Sequence, residues 1–421
     1  MKAIVVGGGI GGLATALSLH AQGIEVEVFE QSRTIRELGV GINTLPHAIK
    51  ELAALGLLEE LDRIGIRTHE LIYTNRFGQE IWRDLRGVDA GYEYPQFSIH
   101  RGKLQGVLHK AVLERIGGDK VHPGHQLVRF EDTGGPGGGR VTATFERREG
   151  HDDVTVTGSV LIGADGIHST VRKAFYPDEG APSWNGLMLW RGAVEGKPFL
   201  TGRSMIIAGG MNAKFVCYPI YNDPDTPGST LLNWAVVARI GDGSTPPPRR
   251  EDWSRLGDRA ELMNHVDGVF TLDVVDPVAI INSTVDFYEY PMCDRDPVDR
   301  WSFGRVTLLG DAAHPMYPVG SNGASQAILD ARCLAGLLAG GGAVEDALKA
   351  YEAQRLPMTA EIVCTNRKGG PEQVIDLVEE RAPDGFGKLE DVATREELEA
   401  MVRGYASLAR FSQSDVNKPG G

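Results

Sequence analysis

Hydrophobic and polar positions recur along this chain with two different periods, and the changes of period mark its parts. Residues 3–6 form a short apolar run ending in glycine, and Leu13 to Ala21 repeats Ala and Leu at helical spacing. Gly23 stops that helix, and Ile24 to Phe29 alternates as a strand. The chain therefore opens as a βαβ unit. A second helix is predicted at about Pro46 to Leu61, a hairpin over 70–83 turning at Arg76-Phe77-Gly78-Gln79, and a third helix over Leu104 to Ile116. Gly134 to Gly139 reads as a flexible hairpin loop, and no helix follows it to make a phosphate cradle. From Trp184 to Glu289 the texture changes. Strand-like runs at 187–194, 204–208, 214–220, 230–238 and 283–290 are separated by Pro, Gly and Asp turns, which predicts a mostly antiparallel sheet. A parallel-type strand returns at Arg305 to Leu309. A long interrupted helical region starts near Asn322, and 413–421 is expected to be a disordered tail.

Composition narrows the function classes. The chain has 421 residues and a formal net charge of −14, with Lys and Arg scattered. Nucleic acid and anionic membrane are disfavoured as partners. Cys217, Cys293, Cys333 and Cys364 match neither a zinc spacing nor a CxxC pair, so isolated thiols and no metal are expected. No cysteine precedes Cys217, which argues against a flavoprotein disulfide reductase. The apolar run after Met1 is too short for a signal peptide or membrane span, so a cytoplasmic location is the default expectation.

Three motifs carry chemistry. Gly7-Gly8-Gly9-Ile10-Gly11-Gly12 contains GxGxxG at Gly7, Gly9 and Gly12, between a strand and a helix. One glycine permits the tight turn, one lets backbone approach a pyrophosphate, and one lets helix and strand pack closely. The helix start near Gly11 points its N–H groups at the phosphates. Glu30 ends the second strand, 21 residues after Gly9, where a carboxylate can bind both ribose hydroxyls. The second motif is Gly163-Ala164-Asp165-Gly166-Ile167-His168-Ser169, leading to Arg172; its bland alternative is a strand-to-helix turn with an Asp cap. The third is Gly310-Asp311-Ala312-Ala313-His314-Pro315, followed by Pro318 and Gly320-Ser321-Asn322-Gly323-Ala324. A strand-end carboxylate can hold sugar-like hydroxyls, and a glycine-rich helix start can face a ring that becomes anionic on reduction.

Together these motifs resemble the class A flavoprotein monooxygenases, the para-hydroxybenzoate and salicylate hydroxylase family, over roughly residues 1–370. The resemblance implies noncovalent FAD. The first motif and Glu30 are expected to hold its ADP half, Gln31, Gly41 and Val128 to be further cofactor-binding positions, and Asp165 to serve both FAD and NAD(P)H. Asp311 falls on the ribityl chain, Pro318 beside the isoalloxazine, and Gly310 and Gly320 to Ala324 near the flavin. Arg101 and Gln105 match FAD-contacting positions. The implied fold is α/β. A Rossmann-like FAD domain comes from 1–72, 98–182 and 286–335, an inserted sheet domain from 73–97 and 183–285, and C-terminal helices from 336–412.

A narrower resemblance rests on Glu37 to Asn43, Tyr94-Pro95-Gln96, Ser98 to Gly102, Trp190-Arg191-Gly192, Tyr290-Pro291-Met292 and Asn322 to Asp330. These are similar to the branch of the methylphenazine carboxylate monooxygenases. That branch implies an aromatic or N-heteroaromatic acid, hydroxylated with loss of its carboxyl. One position departs: that branch has Leu where this chain has His314-Pro315, which bears on the substrate rather than on FAD.

One fingerprint, taken by FAD, leaves NAD(P)H as a transient co-substrate. The family's chemistry then runs through a flavin C4a-hydroperoxide formed with dioxygen, in a site closed to water. Pro318, Gly320 and Tyr218 are the expected catalytic positions, Tyr218 polarising a ring hydroxyl. Gly39, Gly41, Gly320 and Gly323 are expected to let the flavin loops shift. Trp190, Phe215, Cys217, Pro219 and Trp234 are candidates for the substrate wall, with ordinary sheet core as the rival reading of each. Arg191 or Arg203 would suit a carboxylate, and His314 reads as a structural His-Pro turn. A monomer or homodimer is expected. The rival function is a non-hydroxylating flavin oxidase or redox sensor.

Overall fold

The computed structural model describes residues 1–34, 40–134, 139–148, 150 and 152–418. The expected loop at 134–139, the motif residues Glu37 to Gly39 and the end of the tail lie wholly or partly outside these.

Strand Lys2–Val6, helix Ile10–Ala21 and strand Glu25–Glu30 form the predicted opening unit. Both strands lie in a six-stranded sheet ordered 302–303, 306–308, 160–163, 2–6, 25–30, 121–123. Its pairings are parallel except for the edge pair 302–303 with 306–308. Such a sheet is covered on both faces, which is why its strands read as continuous apolar runs. Ile4, Val5, Leu161, Ile162 and Leu308 are buried with Leu13 and Leu17 of the first helix and Leu334 of helix Gly323–Ala339. A three-stranded meander, 125–132, 141–147 and 154–158, leads back into the strand Val160–Gly163.

A second, seven-stranded sheet is ordered 287–294, 183–196, 230–239, 213–221, 204–208, 70–74, 80–85. Every pairing in it is antiparallel except 70–74 with 204–208. Helices Arg259–Met263 and Pro277–Ser283 cover one face. A small sheet of 41–44, 97–100 and 65–67 joins the two halves. Beyond it run helices Val344–Arg367, Gln373–Arg381 and Arg395–Leu408.

Several expectations change. The helix expected over 46–61 is two, Pro46–Ala54 and Leu58–Ile64, because Gly56 turns left-handed at φ 71°. The strand expected at 283–290 is Phe287–Asp294, since 277–283 is helix capped by Asp276. The strands next to the divisions expected at 72/73 and 285/286, Glu70–Thr74 and Phe287–Asp294, both lie in the seven-stranded sheet. The expected tail begins as a helix, Gln413–Val416, capped by Ser412 and followed by Asn417, whose amide donates to the Gly91 carbonyl. No described helix is long and apolar enough to cross a membrane.

Candidate functional site

The glycine turn is built by contact distances. Gly7 has φ 113°, and a Cβ there would lie 2.2 Å from the Ala164 oxygen; one on Gly12 would lie 1.9 Å from the Gly7 oxygen. A Cβ on Gly11 would press on Leu309 and Ala327, at 3.1 and 3.3 Å. Gly9 differs: nothing stands within 4 Å of its Cβ position, so its face is open. The helix after it begins with no side-chain cap and no acid in its first turn, which leaves its first N–H groups to an anion. The Ile10 side chain is buried, so only its backbone faces that position. Glu30 accepts from the N–H of Gly8 and of Ser32, both at 2.7 Å, and Gln105 donates to the Gly8 oxygen at 2.8 Å. Gln31 and Val128 are exposed. Gly41 is closed in, its N–H donating to Asn233 at 2.7 Å and its Cβ position 2.7 Å from that side chain.

Asp165 is committed within the protein. Its carboxylate accepts from the Ser169 hydroxyl at 2.5 Å and from the N–H of Thr170 and Val171 at 2.7 and 3.3 Å, capping the helix Thr170–Phe175. These bonds are those of the strand-to-helix capping alternative, beside which the expected part of Asp165 in binding FAD and NAD(P)H stays an expectation. Arg172, buried and paired with Glu179, donates to the carbonyls of Ala312 and Ala313 at 3.2 and 2.8 Å, tying the second motif to the third.

In the third motif Gly310 has φ 60° and donates to Asp330 at 3.1 Å. Asp311, next along the chain, has an exposed side chain. Burial raises its carboxyl above the usual range, as does Asp330, against His314 and Arg101. His314 is buried, its Nε2 2.6 Å from Asp330. Burial pushes Asp330 up, but His314 and Arg355 override it and hold that carboxyl at about 2. His314 is thus locked in a structural pair. Pro318 is exposed to the cleft, Gly320 is left-handed at φ 65°, and Asn322 is buried. A Cβ on Gly323 would meet nothing nearer than Met316 at 4.0 Å, so that helix start is open. Ala324 packs on the core.

The seven-stranded sheet supplies the other wall, and here the expected face is reversed. Trp190, Phe215, Cys217 and Trp234 are all fully buried under the two covering helices, with Leu262, Val266 and Ile281. Pro219 follows their alternation. Their strands are correctly read, but these side chains fill a closed core. The opposite face carries Leu187, Leu189, Val237, Tyr290 and Met292, packed with Tyr317 and Val319 of the third motif. Tyr218 and Arg191 share that face by alternation, and Arg191 donates to the Tyr290 hydroxyl at 2.9 Å. Arg101 and Arg191 each lie 5.8 Å from the Trp253 ring, which packs on Tyr290 with centroids 4.6 Å apart. Burial and then the Arg191 charge lower Arg101, with Asp311 and Tyr290 opposing. Arg203 is spent elsewhere, on the Arg67 carbonyl at 2.8 Å and Asp89 at 2.5 Å.

A family model described as an FAD binding domain matches residues 1–183 and 273–366, well over half of the chain. The chain belongs to this family. It is 45% identical over 368 residues to the phenazine 1,6-dicarboxylic acid hydroxylase of Lysobacter antibioticus, covering 86% of this chain and 88% of that one. It is 29% identical to the 3-hydroxybenzoate 6-hydroxylase of Klebsiella oxytoca, covering 88% of each. Among solved structures the fold is shared with an FAD complex of a single-substitution variant of Klebsiella pneumoniae HpxO, at TM-score 0.73, 24% identity and 98% and 99% coverage. A salicylate hydroxylase substrate complex is similar too, at TM-score 0.72, 22% identity and 100% and 98% coverage. The protein is an FAD-dependent monooxygenase of the class that hydroxylates aromatic rings.

The residues present fit FAD. The Cβ positions of Gly9 and Gly323 are both open, and the Asp311 side chain is exposed, so side chains leave these three positions free for a ligand. Among the described residues no protein donor hydrogen-bonds Asp311, so its exposed carboxylate is free to take hydroxyl partners. Sequence reasoning passed over four groups at this site. Trp253 and Glu251 lie in an irregular turn-rich stretch with no motif. Tyr290 was visible only as part of a resembling block. Tyr405 sits far along the chain in an ordinary amphipathic helix.

Proposed function

We propose that this monooxygenase acts on an aromatic or N-heteroaromatic acid, holding its carboxylate at Arg191 on the open face of the seven-stranded sheet. The observation that carries this is the contrast between its two candidate arginines. Arg203 is neutralised by Asp89, whereas Arg191 has a tyrosine hydroxyl as its acceptor and shares the Trp253 ring with Arg101. Arg101 and Arg191, each 5.8 Å from the same Trp253 ring, offer two guanidinium groups that suit an acid ligand. The relative at 45% identity bears the name of a hydroxylase of a heteroaromatic dicarboxylic acid, which supports the same reading.

In this reading Gly7, Gly9, Ile10, Gly11 and Gly12 hold the pyrophosphate with their backbone. Glu30 takes the ribose hydroxyls, with Gln105 steadying the turn, and Arg101 and Asp311 hold the chain leading to the ring. Pro318, Gly320, Asn322, Gly323 and Ala324 line the ring, and NAD(P)H binds transiently. When bound, FAD supplies the reducing equivalents from NAD(P)H and the activation of dioxygen. The protein's part is to orient the acid and to keep water out with Tyr218, Tyr290 and Val319. Burial pushes the Tyr218 phenol well above its ordinary range, so at neutral pH it donates a hydrogen bond and does not act as a base. Attack at the carboxyl-bearing carbon releases carbon dioxide, the electrons of the broken C–C bond returning to the ring.

A panel of aromatic and N-heteroaromatic acids, each with NADH and NADPH under labelled dioxygen, tests this. One labelled oxygen atom in the product, with carbon dioxide released from a ring acid, is expected. Hydrogen peroxide alone across the whole panel would move the protein to the oxidase or sensor reading.

A further inference from the structure

The loop Tyr317–Gly323 has a backbone that its own residues do not favour. Gly320 and Ser321 are both left-handed, at φ 65° and 58°, and serine rarely adopts that region. Such a conformation persists where its surroundings over-determine it. Here the surroundings are buried polar side chains from the far end of the chain. Asn366 Nδ2 donates to the carbonyls of Tyr317 and Val319, each at 3.1 Å. The Tyr405 hydroxyl donates to Asn366 Oδ1 at 2.7 Å and accepts from Asn322 Nδ2 at 2.9 Å. The Gly320 N–H points to Glu372 at 3.5 Å, and Glu372 is ion-paired with Lys214 of the seven-stranded sheet. All of these side chains are buried. The Tyr405 ring also occupies the space beside Gly320, its hydroxyl 2.5 Å from where a Cβ would stand.

Tyr405 and Glu372 lie beyond residue 366, where the family match ends. We propose that Tyr405, with Asn366 and Glu372, is a positioning residue for the reaction. The C-terminal helix holds the strained loop in the one backbone arrangement that seats the flavin ring against substrate, and so sets how much reducing power ends in product. This rests on the reading that the loop lines the ring. In the coupled reaction NAD(P)H, a proton and dioxygen convert ring C–H to C–OH, giving NAD(P)+ and water; an acid substrate loses carbon dioxide instead of the ring hydrogen. In the uncoupled reaction the same NAD(P)H, proton and dioxygen give NAD(P)+ and hydrogen peroxide. A loosened loop shifts flux from the first to the second, because ring and substrate are no longer held in register and water enters.

Tyr405→Phe removes the hydroxyl and keeps the ring. The variant is expected to fold, to bind one FAD and to keep a melting temperature within a few degrees of wild type. Hydrogen exchange in the FAD-free protein should quicken on the order of tenfold at the amides of 319–323 and stay unchanged in the strand Lys2–Val6. The visible spectrum of bound FAD should shift, and product per NAD(P)H should fall by about half or more, with hydrogen peroxide making up the difference. Unchanged loop exchange would overturn the proposal, and so would faster exchange with unaltered spectrum and coupling. If Tyr405→Phe does not fold, Asn366→Ser withdraws the amide donors with the Tyr405 ring in place and carries the same test. A wild-type protein that binds no FAD would instead overturn the reading of the site beneath it.

Discussion

The two faces of the seven-stranded sheet are made by the same strands and meet opposite fates. One is dry and closed: Trp190, Phe215, Trp234 and Phe287 pack under two short helices, and the indole N–H groups of Trp190 and Trp234 are satisfied by Glu289 and Thr284. The other carries Arg191, Lys214, Tyr218 and Tyr290 and looks toward the strained loop of the FAD-binding half. The closed face surrounds the ion-paired Glu289 with large aromatics, whereas the other sets Arg191, Lys214 and the Tyr218 and Tyr290 hydroxyls among smaller apolar residues. In the function proposed above, the first is the stable wall and the second the working one.

The most damaging way to probe this contrast is Trp234→Ala on the closed face. Removing a fully buried indole should cost about 3–5 kcal/mol of stability. It should leave KM for the acid unchanged in whatever fraction stays folded. Chemical denaturation with parallel kinetics reads both, and a selective rise in KM would mean that the closed face touches substrate after all.

At the rim of the open face, Glu251 makes the contrast depend on pH. Burial first, and then Asp311, raise its carboxyl to about 7, with Trp253 and Arg295 opposing, and His168 stands 3.5 Å away. Between about 4.5 and 7 the folded protein keeps a proton that the unfolded chain has lost. Stability from this group is therefore whole below pH 4.5 and declines as pH rises to about 7, by at most about 3 kcal/mol. Glu251→Gln should flatten that part of the profile in denaturation of the FAD-free protein at pH 5 and pH 8. An unchanged slope would assign the pH dependence to other buried carboxyls such as Asp311 or Asp294.

Much of the cofactor half was legible in the sequence because its geometry is local. Gly7, Gly12 and Glu30 meet within one βαβ unit, and the distance from glycine to carboxylate is fixed by one helix and one turn. Alternation also located the strands of the second sheet to within a few residues. It did not say which face would be covered, because period two is symmetric and the deciding helices, 259–263 and 277–283, lie elsewhere in the sequence. Asp165 shows a related ambiguity, since a cap and a ligand need the same residue at the same place. The network of Asn366, Glu372 and Tyr405 left no local signal, because its partners lie 39 to 86 residues apart along the chain.

Arginine substitutions sharpen the comparison with a smaller effect. Arg191→Gln removes a charged donor from the open face and should raise KM for an acid substrate roughly 10–100-fold, about 1.5–3 kcal/mol of charged hydrogen bonding. Its stability should stay within about 1 kcal/mol, because what is lost is one hydrogen bond to Tyr290 and a 5.8 Å contact with the half-exposed Trp253 ring. Arg203→Gln, at the other end of the sheet, should leave KM alone. Equal KM for both variants would remove Arg191 as the carboxylate anchor.

The finest test exchanges one oxygen atom on each face. Tyr218 is buried on the open side, its phenol near the Asn43 amide and opposed by the Arg191 charge. Asn43 keeps other partners, Ser98 at 2.8 Å and Met205 at 3.5 Å, so Tyr218→Phe should cost only about 1 kcal/mol of stability. Phe215→Tyr puts a hydroxyl into the fully buried cluster of Trp190, Phe270 and Val236 and should cost about 1–3 kcal/mol. Activity should order the other way. Loss of the Tyr218 hydroxyl removes a donor to the substrate ring and should slow hydroxylation by up to roughly tenfold, whereas Phe215→Tyr should leave the rate per folded molecule unaltered. Because Tyr218 stays protonated far above neutrality, the slower rate should keep the wild-type pH profile. A shifted profile would mean that Tyr218 exchanges a proton during turnover, and an unchanged rate would place the substrate away from the Tyr218 end of the open face.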